Sequence, residues 1–142
     1  MDGIGPDVPT VWRIGNALYK YKTRDINSGW TQLPKMIFEG NAQIAGTIFG
    51  TKIGRLQEGY QADVIVVDYQ PPTPLDETTV NAHLLFGTSG KDTVTTMCNG
   101  RILMKDRRML TVDEEKMEAE SRKQAEKLWR HCNRIRTGGE AV

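Results

Sequence analysis

The sequence predicts a mixed α/β fold class, taking an α+β form if the chain stands by itself. Three observations predict it. Apolar residues recur at helical spacing near both ends of the 142 residues. A continuous β-branched run, Val64-Ile65-Val66-Val67, lies between them. Asn99-Gly100 interrupts a later apolar stretch as a two-residue hairpin turn does.

The elements follow in order. Asp2, Gly3, Gly5, Pro6 and Asp7 make a turn-rich start, with Asp7 placed to cap a helix and Pro9 in its first turn. Val8, Val11, Trp12, Gly15, Leu18 and Tyr19 then share one helical face, which predicts a helix from about Val8 to Lys22. Residues 23–32 are polar and predict a loop. Leu33 to Phe49 is apolar but carries Gly40 and Gly46. Because glycine inside a helix costs about 1 kcal/mol against alanine, two short helices are expected, the second capped by Asn41 and stopped at Gly50.

Gly54 and Gly59 bracket a turn before the strand at 64–67, whose apolar continuity predicts cover on both faces. The three prolines between Gln70 and Pro74 predict a rigid, extended crossing. Thr79 to Phe86 predicts a short helix, and Val94 to Met104 a hairpin. Lys105 to Arg108 makes a second turn, and Met109-Leu110 a short return strand. Thr111 and Glu114 have capping-box spacing, ahead of a last helix from about Asp113 to Arg136. Its inner stripe is Met117, Ser121, Ala125, Leu128, Cys132 and Ile135, with Trp129 beside it. Acidic residues lie early in this helix and basic ones late, which complements the helix dipole without any ligand.

Composition narrows the function classes. With 38% hydrophobic and 26% charged residues, a soluble globular chain is expected. Nineteen Lys and Arg against eighteen Asp and Glu, a net charge of +1, argue against a strongly basic nucleic-acid binder. No apolar run approaches the roughly 20 residues of a membrane span, and the first residues lack the pattern of a secretory signal. Two isolated cysteines, Cys98 and Cys132, suggest a reducing compartment, expected to be cytoplasmic, and both are expected to be buried and inert.

His83 and His131 lack the spacing of a metal pair. His83 is expected to be a satisfied surface or interface histidine, and His131 to face solvent. Asp63 is expected to brace the neighbouring turn. Trp12, Trp30 and Trp129 suit core or interface positions. Arg101, Lys105, Arg107 and Arg108 suit a solvated basic turn. Two or three strands cannot close a sheet by themselves, so an exposed edge is expected.

The run GRLQEGYQADVIVVD and the hairpin VTTMCNGRIL carry a resemblance. Ile53, Gly54, Leu56, Gly59, Ala62 and Asp63 resemble the turn that leads into the small β-sandwich of the amidohydrolase superfamily. MDGIGPDV, EGNAQIAGTIFGTKIG, DYQPPTPL and the last helix resemble its SsnA-type aminohydrolases, in the deaminase and chlorohydrolase branch.

That resemblance implies a metal-dependent (β/α)8 barrel beside a composite β-sandwich. A complete barrel takes about 250 residues. The chain is therefore expected to supply the end of the barrel at 1–52, part of the sandwich at 53–110, and a helix with a loose tail at 111–142. Asp2 matches the family's aspartate at the end of the eighth barrel strand. The resemblance implies that Asp2 is both metal ligand and catalytic general base, with zinc or iron as the metal. The family's HxH pair and two further histidines have no counterpart here. The expected function is thus the C-terminal portion of an aminohydrolase that breaks C–N bonds in a heterocyclic substrate. This chain alone is expected to be inactive and to hold no metal stably. Its expected partner is the N-terminal part, in the same or a separate chain, with self-association as a further option and no nucleic acid or membrane. The alternative is a non-catalytic module that pairs with another chain, and a nucleic-acid binder is a weaker third.

Overall fold

The structure is a computed structural model and describes residues 7–138. It comprises helices and antiparallel strands, in two compact units divided between Arg107 and Arg108.

The first unit opens with α1, Val8–Thr23. Asp7 caps it as the sequence predicts, its side chain accepting from the Thr10 amide at 3.1 Å. Arg24 ends it in the left-handed conformation. The next helical stretch departs from expectation. Gln32–Pro34, a π-helical turn at Lys35–Gly40 and the helix α2, Asn41–Phe49, follow one another without a break. Gly40 keeps ordinary helical angles and closes the wide turn instead of ending the helix. The extra residue of that turn re-phases the apolar face, so Gly40 is absorbed and no cap at Asn41 is required. Gly50 does end α2, with φ +65°.

β1, Val64–Val67, pairs antiparallel with β2, Thr93–Cys98, with Val64 opposite Met97 and Ile65 opposite Thr96. β2 turns into β3, Arg101–Lys105, through Asn99 and Gly100, both at positive φ. This is the primed hairpin turn that the dipeptide favours. The expected cover on both faces of β1 is absent among the described residues: Ile65 is 60% and Val66 50% exposed. β1 is also an edge strand. Its β-branched run therefore marks strand propensity, not burial within this chain.

The expected helix after the proline crossing is present as a turn, Val80–Ala82, that widens into a π-helical turn at His83–Gly87. Leu33 and Leu85 are the buried apolar residues among those described. They come from the two stretches containing π-helical turns, which therefore supply the centre of this unit.

The second unit begins with a two-residue strand, β4, Arg108–Met109, and continues into α3, Glu114–Arg136. Its cap is Asp113, which accepts from the Lys116 amide at 3.0 Å, and not the expected Thr111. Asp113 adjoins the first helical turn, whereas Thr111 lies three residues before Glu114, where the helix begins. No helix among the described residues is long and apolar enough to cross a membrane.

Candidate functional site

Asp2, the residue expected to carry the chemistry, lies outside the described residues, as do Gly3 to Pro6. What is described is the anchorage immediately after it. Asp7 Oδ1 accepts from the Gly90 amide at 2.6 Å, joining the start of α1 to a loop 83 residues away. Its Oδ2 accepts from the Thr10 amide and the Thr10 hydroxyl. Arg13 donates to the Thr10 hydroxyl at 2.9 Å and to the Thr88 carbonyl at 3.3 Å, and its guanidinium lies 3.5 Å from Asp7. The Thr10 hydroxyl first and the Gly90 amide second hold the Asp7 carboxyl below its ordinary value against desolvation, with lesser help from the Thr10 amide and the Arg13 charge.

A depressed carboxyl stabilises the fold above its unfolded pKa and loses that contribution as pH falls through the folded one. The Gly90 amide resonance is therefore expected to titrate with a midpoint below 3.8, and to stop titrating in Asp7→Asn. A wild-type midpoint at or above the ordinary value in an NMR titration would contradict this anchorage.

His83 is buried, not at the surface. Its Nδ1 lies 2.7 Å from the Tyr69 hydroxyl, and its Nε2 lies 3.1 Å from the Pro74 carbonyl and 3.2 Å from the Thr73 hydroxyl. A carbonyl only accepts, so Nε2 carries the proton and Nδ1 accepts from Tyr69. Both nitrogens are thus engaged, which bears out the satisfied histidine and leaves neither free for a metal. Tyr69 and Thr73 carry no signal in sequence that would pair them with a histidine ten or more residues on. Gly87 fits the same cluster, because a side chain there would meet the Tyr69 ring.

His131 is exposed on α3, as expected. Cys98 is exposed and Cys132 half-buried, so the expected burial of both does not hold. Cys98 ends β2 at the hairpin tip, where nothing covers it. The neighbouring Asp63 carboxylate hydrogen-bonds its thiol and repels the thiolate, which raises the thiol's pKa and disfavours the nucleophilic form. Asp63 also accepts from the Asn99 amide at 2.7 Å; its role is structural as expected, but it braces the hairpin tip and not the neighbouring turn.

Trp12 meets Phe38 edge-on and Trp30 meets Phe86 likewise, with ring centroids 5.7 and 5.9 Å apart. Trp12, Trp30 and Phe38, together with Leu84 and Leu85, line an apolar cleft with about 20 Å³ of room, enough for one water and not for a substrate. Asn16 beside it is buried, with Oδ1 unpartnered among the described residues. Position 29 favours glycine through its φ of +93°, and that oxygen lies 2.6 Å from where a side chain there would begin.

Among the described residues no three His, Cys, Asp or Glu side chains gather as a metal site would require. The described donor set does not fit a zinc or iron ion by itself.

Residues 43–103 match the family model described as the amidohydrolase family. The chain is 40% identical over 141 residues to a 5-methylthioadenosine/S-adenosylhomocysteine deaminase of Dictyoglomus thermophilum, a match covering 89% of this chain and 31% of that protein. It is 41% identical over 86 residues to a 5′-deoxyadenosine deaminase of Methanosarcina mazei, covering 59% of this chain and 19% of that protein. Among solved structures, an adenosine deaminase from Xanthomonas campestris with bound zinc superposes with a TM-score of 0.68 at 22% identity, over 92% of this chain and 28% of that one. This last likeness bears on fold. In each case the chain spans less than a third of the protein it matches.

Proposed function

The chain belongs to the amidohydrolase family, and from that premise we propose that it is the C-terminal portion of a metal-dependent aminohydrolase. The reaction would be hydrolytic loss of an amino group from the purine of an adenosine-like nucleoside. The observation that carries this reading is the 40% identity with a named deaminase across nearly the whole chain. It supports a purine nucleoside as the heterocyclic substrate expected from sequence.

In this reading α1 and the helical run ending in α2 are the last helices of the barrel, and β1 to β3 belong to the sandwich. Asp2 takes the position of the family's metal-binding and proton-transferring aspartate. A divalent metal, zinc or iron, belongs to the complete protein. The histidines that would hold it come from the N-terminal part, whether joined to this chain or encoded apart. A cytoplasmic setting suits both the free thiols and the metabolite substrate.

The chain supplied with zinc or iron is expected to release no ammonia from adenosine or 5′-deoxyadenosine. Co-expression with a barrel portion that carries the histidines is expected to give turnover. Turnover by the chain alone would overturn the reading. Association without turnover would favour the second reading, a structural module, to which the exposed edge of β1 is suited.

A further inference from the structure

Helix α3 carries a pattern that the proposed chemistry does not use. Glu114, Glu118, Ser121, Ala125, Trp129, Cys132 and Arg136 follow one another at intervals of 4, 3, 4, 4, 3 and 4 residues. At 3.6 residues per turn they form one straight stripe along the helix. The intervals are the same in both directions from Ala125, whereas the chemistry reverses. One arm carries two carboxylates and a small residue, and the other carries a large ring and a guanidinium.

The larger charge distribution reverses in the same way. Residues 113–120 hold five carboxylates and one lysine, a net charge of −4; residues 127–136 hold four basic side chains, a net charge of +4. Apolar side chains along the stripe and its flank are exposed, with Met117 at 51%, Leu128 at 60%, Trp129 at 65% and Ile135 at 67%. Among the described residues, the ion pairs within the helix, Glu118 with Arg122 and Glu120 with Lys123, involve none of the four basic side chains at 127–136.

A helix with opposite ends of opposite charge is complementary to its own reverse. We propose that α3 pairs antiparallel with α3 of a second copy of this chain, about a two-fold axis at Ala125. In this register Ala125 faces its own counterpart and lets the backbones approach. Trp129 of each copy lies over the small Ser121 of the other. Glu114 of each meets Arg136 of the other at both ends. The two helix dipoles also oppose favourably. A parallel pair would instead set Trp129 on Trp129 and each −4 segment against its like. The contact is isologous, as closed two-fold dimers require. It stands whether or not the proposed deaminase reading holds.

The test uses the full chain under reducing conditions. Sedimentation is expected to show a dimer. Glu114→Arg and Arg136→Glu, each acting twice by symmetry, are expected to weaken association about tenfold. The two together restore the pairing with its charges exchanged. In a Cys98→Ser background, Ala125→Cys with Cys132→Ser is expected to cross-link through a short bismaleimide, whereas native Cys132 does not join its own counterpart. A monomer at about 100 µM would overturn the proposal. So would a Cys132 to Cys132 cross-link, which marks a parallel pair, or a dimer indifferent to both charge reversals, which marks another surface. A monomer whose Cys132 resists alkylation would place the stripe against other parts of the same chain, and would equally overturn it.

Discussion

Asp2→Asn, introduced into the chain co-expressed with its barrel portion, is expected to lower ammonia release about a thousandfold. The choice of asparagine is deliberate. Two roles compete for an aspartate beside two glycines: forming a turn and transferring a proton. Asparagine forms such turns as readily as aspartate, through the same side-chain oxygen. It is neutral, however, and takes up no proton near neutral pH. A turn-forming Asp2 would therefore tolerate the change, and a chemical one would not. Unchanged kcat in steady-state assays would remove Asp2 from the reaction and return it to a structural role. Equal yields and equal metal content of the assembled protein for wild type and variant would confine the loss to the chemical step.

His83→Ala carries the largest expected effect on stability, about 2–4 kcal/mol. The ring ties three segments together: Tyr69 just after β1, the proline crossing at Thr73 and Pro74, and its own helical turn. Truncation opens a cavity and leaves the Tyr69 hydroxyl and the Pro74 carbonyl without their partner. Tyr69→Phe removes one hydroxyl while the Nε2 bonds remain, so it is expected to cost about 1 kcal/mol. Urea unfolding followed by circular dichroism would measure both. Equal midpoints for wild type and His83→Ala would show that the cluster contributes nothing to the fold.

Much of the local architecture was legible in the residues, because its causes are local. Asp7 capping α1 and Asn99-Gly100 turning the hairpin depend on side chains within a few positions of the backbone they direct. The uninterrupted helical run through Gly40 was not legible, since one wide turn can absorb a glycine that propensity would treat as a break. Thr111 offered good capping spacing, yet Asp113 lies nearer the helix and caps it. Cys98 follows the apolar pattern of its strand but falls at an uncovered tip. The candidate site divides along similar lines. Asp2 came from resemblance, and nothing in spacing alone would single it out. The partners of His83 come from a loop and a strand end that only the tertiary fold brings together.

The margin of β1 has one more consequence. Val64 to Val67 is a short, uncharged, strongly β-forming segment whose outer side has no neighbouring strand among the described residues, the kind of sequence from which amyloid-like stacking starts. It is bounded by Asp63 and Asp68. The first is held by the hairpin tip and the second by Arg107, at 3.1 Å. The same two carboxylates that fasten the turns thus keep a charge at either end of the segment, the placement by which gatekeeper residues oppose fibril growth.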